Sequence, residues 1–151
     1  MKSCRSLIRV GAIAVGVTAG AWAAEIDRGA TLYDRLGGMP AIRAVVDDLM
    51  VRILGDPRIS PWFGRAAADP ERAAAYKANL ADLVCQATGG PCKYTSLDMV
   101  TAHKGRGVTL EGFNSMVDDV EASLDKLKVP SKEKQELLGI LAPLKAAIVQ
   151  Q

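Results

Sequence analysis

The chain is 151 residues long, 49% hydrophobic and 24% charged, with a formal net charge of +2. Three of its basic residues, Lys2, Arg5 and Arg9, stand in a leader-like stretch, and from residue 24 onward 16 Lys and Arg face 17 Asp and Glu. That balance argues against a clustered basic surface for nucleic acid, and the remaining 128 residues suit one domain with its own core.

Residues 1–23 read as a cleaved signal peptide. A basic front is followed by an apolar, small-residue core from Val10 to Gly20, and Ala21-Trp22-Ala23 offers a small-x-small cleavage site before Ala24-Glu25. The apolar run is short for a bilayer span, which takes about 20 residues; an uncleaved anchor is the alternative. The expectation is an exported, periplasmic protein with no membrane anchor after cleavage, in which residues 24–151 form a single domain. Export would place Cys85 and Cys92 in oxidising surroundings. Their Cys-x6-Cys spacing is neither a CxxC redox pair nor a CxxCH haem attachment. Either a local disulfide clips the following loop to the helix before it, or Cys85 is a small buried apolar residue and Cys92 an ordinary loop residue.

The elements are all helical. Ile42, Val45, Val46, Leu49, Met50 and Ile53 step by three and four, which predicts a helix from the Gly37-Gly38-Met39-Pro40 turn to Gly55-Asp56-Pro57. Asp56 is expected to cap a short helix through Ile59, with Trp62-Phe63 at its end. A second amphipathic run follows Pro70 and carries Tyr76, Leu80, Leu83, Val84 and Ala87 up to the stop at Gly89-Gly90-Pro91. Ser96 is expected to cap a short helix with Met99, Val100 and His103 on one side, closed by Gly105 and Gly107. Thr109 then opens a long helix whose inner face takes Leu110, Phe113, Met116, Val117, Val120, Leu124 and Leu127. The last helix starts near Pro130-Ser131, buries Leu137, Leu138, Leu141, Leu144 and Ile148, and is kinked or broken at Pro143. No segment alternates with period two.

His103 is the only histidine of the chain. A protein with one imidazole cannot build a histidine relay or a multi-histidine zinc site. A lone imidazole on an apolar helix face suits a haem iron, which takes one such ligand from the proximal side. A lone histidine is also at home as an ordinary surface or satisfied core residue, and the neighbouring motifs must separate the two readings.

Those motifs resemble the truncated haemoglobins, specifically group I. The likeness runs from Thr31-Leu32-Tyr33-Asp34-Arg35-Leu36-Gly37-Gly38 to Leu141-Ala142-Pro143-Leu144. It passes through Asp56-Pro57-Arg58, Trp62-Phe63, Gly89-Gly90-Pro91, Tyr94-Thr95-Ser96, Met99 to His103 and Gly105 to Thr109. Each element is weak by itself; their order and spacing together are specific. The resemblance implies an all-α, two-over-two helical sandwich around non-covalent haem b, with His103 as the proximal iron ligand. It also implies reversible binding of a diatomic gas such as O2, NO or CO, for oxygen binding or transport.

On the distal side the family's gas-facing positions fall at Tyr76, Asn79 and Leu80, and at Leu49 and Met50 on the preceding helix. The best-known group I pattern has a tyrosine where Met50 stands and commonly a glutamine where Leu80 stands; neither residue here can donate a hydrogen bond. Tyr76 is the phenol left on that face, either as the missing donor or as a core aromatic with a wet hydroxyl. Leu83, Val84, Phe63, Met99, Met116 and Val120 are read as cofactor contacts or core. Lys93, Tyr94 and Lys104 are candidates for pairing with haem propionates, although lysines near helix ends are commonly just solvated. The alternative functions on the same scaffold are NO dioxygenation or peroxide reduction fed by an external reductase, and a His/Met electron-transfer haem using Met50. The sequence carries no GxGxxG unit for a flavin or nicotinamide, so a catalytic role would need a separate electron donor. The reading favours a gas binder over an enzyme.

Overall fold

The computed structural model describes residues 29–150, so the signal-peptide expectation for residues 1–23 lies outside it. Thr31 starts the fold with a capping box. Its Oγ1 accepts the Asp34 N–H at 3.1 Å, and its own N–H donates to the Asp34 carboxylate at 3.1 Å. The helix it caps, α1, is the single turn Leu32–Arg35. Gly37 and Gly38 follow with φ of 96° and 71°, a left-handed pair that only glycine adopts cheaply. They turn the chain directly into α2, Gly38–Gly55. The Tyr33 hydroxyl accepts the Met39 N–H at 3.0 Å, satisfying one of the first-turn donors that an α-helix leaves without a partner.

The short helix expected after Asp56 is instead a hydrogen-bonded turn. The Asp56 carboxylate accepts the Arg58 N–H at 2.9 Å and also pairs with its guanidinium, while the Asp56 carbonyl accepts from Ile59 and Ser60. Such an Asx-type closure draws the carboxylate into a two-residue loop rather than a helix start. A 3-10 turn, Ser60–Phe63, and a short helix α3, Gly64–Ala68, come next. Asp69 then caps α4, Pro70–Ala87, accepting from the Glu71 and Arg72 amides.

The cap of α5, Met99–His103, is Asp98 and not Ser96: its carboxylate accepts the Thr101 N–H at 3.0 Å. The residues before it are taken up by a separate turn in which the Tyr94 hydroxyl donates to the Leu97 carbonyl at 2.7 Å. Val100 is 59% exposed and does not share the Met99–His103 face as expected. Thr109 caps α6, Leu110–Lys126, through the Gly112 amide. Leu110 and Leu127 were expected on its inner face; they lie at its two ends and are exposed. α7, Ser131–Leu141, passes through a 3-10 turn at Ala142–Leu144 into α8, Lys145–Ile148, so Pro143 breaks the last helix as its missing N–H requires.

Every described element is helical, and α2 packs against both α4 and α6, with α6 on α7. Three clusters fill the interior of this two-over-two sandwich. Ile42, Val46, Ala81 and Cys85 join α2 to α4. Leu32, Leu124 and Leu137 join α1, α6 and α7. Leu49, Ile53 and Ile59 gather Trp62, Phe63, Leu80, Met116 and Val120 around them. Two polar clasps lie between the layers. Arg35 bonds Glu133 at 3.1 Å and pairs with Glu136, and Asp48 takes both Arg52, at 2.8 Å, and Lys126 of α6.

Candidate functional site

His103 ends α5, half-buried, with its Nδ1 at 2.8 Å from the Met99 carbonyl oxygen. Donation of Nδ1–H to that carbonyl fixes the ring's orientation and leaves Nε2 as the outward-facing lone pair, the arrangement that suits a metal-ligating imidazole. Met99, one turn back, is half-buried on the same face.

A five-residue helix cannot hold its place unaided, and three groups of contacts hold this one. α8 packs against it. Behind it, the Gln150 side chain accepts the Gly107 N–H at 3.1 Å, and the Gln150 N–H donates to the Val108 carbonyl at 2.9 Å. On the downstream side the Trp62 indole N–H donates to the Arg106 carbonyl at 3.0 Å. The indole lies against Gly112, where a Cβ would come within 2.6 Å of the ring, so only glycine admits it. Neither Trp62 nor Gln150 stood out in the sequence as part of the site. The tryptophan fell within a motif quoted only for its order, and the glutamine lies beyond the last apolar repeat, where periodicity carries no signal.

α4 packs on α2 and α3. Tyr76 projects from it, its ring edge-on to Phe63 with centroids 5.2 Å apart and planes at 78°. Burial pushes the Tyr76 phenol well above the ordinary tyrosine range, with Tyr94 and Arg106 as its electrostatic neighbours. Its hydroxyl stays protonated across any physiological pH, a donor and not a phenolate.

Leu80 lies one turn along from Tyr76. With Leu49, Val84 and Val120 it lines an apolar cavity of about 290 Å³ bounded by α2, α4, α6 and α7. Met50 is buried next to Leu49 in the sequence, and Leu83 is half-buried on α4. Phe63, Met116 and Val120 belong to the cluster around Ile53. At the rim, Lys93 and Lys104 are exposed, and Tyr94 is half-buried with its one hydroxyl proton directed to Leu97. Lys77 is engaged by Asp47 across α2 at 2.7 Å.

Among the described residues no three His, Cys, Asp or Glu side chains gather into a metal site. A bare divalent cation needs three or four protein ligands. A porphyrin iron brings four nitrogens of its own and asks the protein for one more. One oriented imidazole, half-buried with Met99 on its face, fits the second requirement and fails the first. No described helix is long and apolar enough to cross a membrane.

A family model for bacterial-like globins matches residues 31–150. The chain is 35% identical over 115 residues to a group 1 truncated hemoglobin of Mycolicibacterium paratuberculosis, covering 76% of this chain and 81% of that relative. It is 34% identical over 114 residues to another from Synechocystis, covering 73% of this chain and 88% of that one. Its fold is similar to the truncated hemoglobin of Tetrahymena pyriformis in the Fe(III) form, with a TM-score of 0.73 at 23% identity over 81% of this chain and all of the other. The group II truncated hemoglobin of Bacillus anthracis is similar at a TM-score of 0.70 and 19% identity, over 81% of this chain and 92% of that one.

Proposed function

Because the chain belongs to the bacterial-like globin family, among the group 1 truncated haemoglobins, we propose that it binds a small diatomic gas reversibly, with O2 as the ligand it is built to hold. Its cofactor is haem b, held without a covalent link. The observation that carries the reading is His103, whose Nδ1 is anchored on the Met99 carbonyl so that Nε2 is left as the ring nitrogen for a metal. Haem, when bound, supplies an iron with one position for the imidazole and one for the gas.

The protein's own residues account for the remaining requirements. Leu49, Leu80, Val84 and Val120 supply an apolar cavity next to α4 in which a small apolar gas can reside. Tyr76 supplies the protonated hydroxyl that Met50 and Leu80 cannot, and burial holds it in the donating form. Reversible binding asks for nothing more, whereas NO dioxygenation or peroxide reduction would draw electrons from an external reductase. A Met50 thioether on the iron would instead make an electron-transfer centre, but the chain already has a distal donor in Tyr76. We further infer an exported location: the signal-like residues 1–23 point to it, and the Cys85–Cys92 bridge suits an oxidising compartment.

Absorption spectra of the purified ferric, ferrous and ferrous-CO forms, beside His103→Ala, test the assignment. A Soret band in the wild type that is lost or strongly shifted in the variant is expected. An unchanged spectrum in His103→Ala would overturn the proximal role, and five-coordinate ferrous iron before CO is added would dispose of the Met50 alternative.

A further inference from the structure

The segment between α4 and α5 carries the chain from the distal wall to His103, and it is tied down at its start. Gly89 turns the chain at a φ of 85°, and the Gly90 N–H donates to the Cys85 carbonyl at 2.8 Å. Cys92 then folds back onto Cys85 of α4, their Cα atoms 5.8 Å apart across a disulfide. Two residues on, the Tyr94 N–H donates to the Gln86 side chain at 2.8 Å. Residues 88–94 thus form a strap laid over the last turn of α4.

The bridge is built in tightly. Cys85 is completely buried within the Ile42–Val46–Ala81 cluster. A Cβ at Gly90 would fall 2.6 Å from the Cys85 sulfur and 2.5 Å from the Tyr33 ring, so the strap crosses at a point where only glycine fits. The Tyr33 N–H holds the same turn from the other side through the Thr88 carbonyl at 2.9 Å. Of the ties between strap and α4, the Tyr94–Gln86 bond is exposed, and water competes with it. The disulfide is the tie with which water cannot compete.

We infer that the Cys85–Cys92 bridge is a positioning device for His103: by fixing the strap to the distal helix it sets where α5 stands opposite α4, so that retention of haem depends on the oxidation state of two side chains that never touch the iron. The inference rests on the haem assignment given above. α5 is too short to define its own place. Its downstream and rear contacts, through Trp62, α8 and Gln150, leave the upstream end to the strap. Opening the bridge takes two electrons and two protons. A dithiol supplies both and becomes a disulfide itself, leaving Cys85 and Cys92 as thiols.

The test compares the oxidised full chain, the chain treated with dithiothreitol and freed of it by gel filtration under argon, Cys92→Ser, Cys85→Ala/Cys92→Ala, and Asp48→Asn. The last is a stability control in the clasp that joins α2 to α6, and it lines neither the cavity nor the strap. Two quantities are read: amide hydrogen exchange over residues 94–104 in the haem-free protein, and the rate at which ferric haem passes to an excess of haem-scavenging apoprotein. The expected result is exchange at least about tenfold faster and haem loss at least about fivefold faster in all three unbridged forms, fold-changes of the size a lost local tether produces. Asp48→Asn, with its lower melting temperature, should leave both near wild type. Unchanged haem loss without the bridge would overturn the inference, as would an equal rise in Asp48→Asn. Absence of a Soret band in every form would remove the haem assignment instead, while the exchange measurement would still decide whether the bridge positions α5.

Discussion

At the residue scale, the proposed gas-facing side turns on three residues: Met50 and Leu80, which carry no hydrogen-bond donor, and Tyr76, which carries a phenol. A hydrogen bond to a bound ligand is worth about 0.5–1.5 kcal/mol net. Tyr76→Phe keeps the edge-on contact with Phe63 and removes only the hydroxyl. Oxygen dissociation followed by stopped flow should therefore speed up by a few-fold to about tenfold, with CO dissociation much less affected because bound CO carries less negative charge. Equal oxygen off-rates would show that Tyr76 is packing alone. Its elevated pKa adds a second expectation. The effect should be flat between pH 6 and 9, because the folded-state phenol loses its proton only well above that window.

At the element scale, the short proximal helix depends on groups far from it in sequence. Trp62→Phe retains an aromatic ring beside Gly112 and loses the indole N–H bond to the Arg106 carbonyl. A cost of about 1 kcal/mol is expected, seen as a melting temperature lower by a few degrees. Faster amide exchange after His103 should accompany it. The α2–α6 clasp makes a different prediction. The Asp48 carboxyl is held below the usual carboxylate range, at about 2, first by its hydrogen bond from Lys126 and then by that from Arg52. A carboxylate with a depressed folded-state pKa contributes fully above its unfolded value and loses that contribution as pH falls. Acid titration should thus show a loss of stability between about pH 4 and pH 2 that is smaller in Asp48→Asn, the remainder belonging to Asp56, Asp98 and Glu133, whose carboxyls are also held down. At pH 7 the same substitution should cost about 1 kcal/mol, because Lys126 is mostly exposed and the pair is screened.

At the scale of the whole molecule, four helices enclose a space that their side chains do not fill. The cavity of about 290 Å³ is lined almost wholly by aliphatic groups, from Ile42 and Leu49 to Leu124 and Leu141. Large dry cavities with apolar linings bind apolar atoms. Crystals pressurised with xenon should show it next to Leu49, Leu80 and Val120. Val84→Phe should exclude it and raise the melting temperature if the ring fits without strain. A cavity full of ordered water in high-resolution density would contradict this.

Helical period, glycine stops and the order of short motifs were enough to give the helices and the family, because each is a local property written in neighbouring residues. The sequence also showed that Met50 and Leu80 can donate no hydrogen bond, whatever surrounds them. Long-range contacts decided the rest. That Cys85 and Cys92 bridge depends on Gly90 letting the strap lie flat, and Cys-x6-Cys spacing leaves both outcomes open. That Asp98 and not Ser96 caps α5 follows from the Tyr94–Leu97 turn, which consumes the residues before it. Trp62 and Gln150 hold the His103 helix from positions 41 and 47 residues away, and a periodic pattern carries no information about partners so distant. A local code fixes what each segment is; only packing fixes which segments face each other across the cleft.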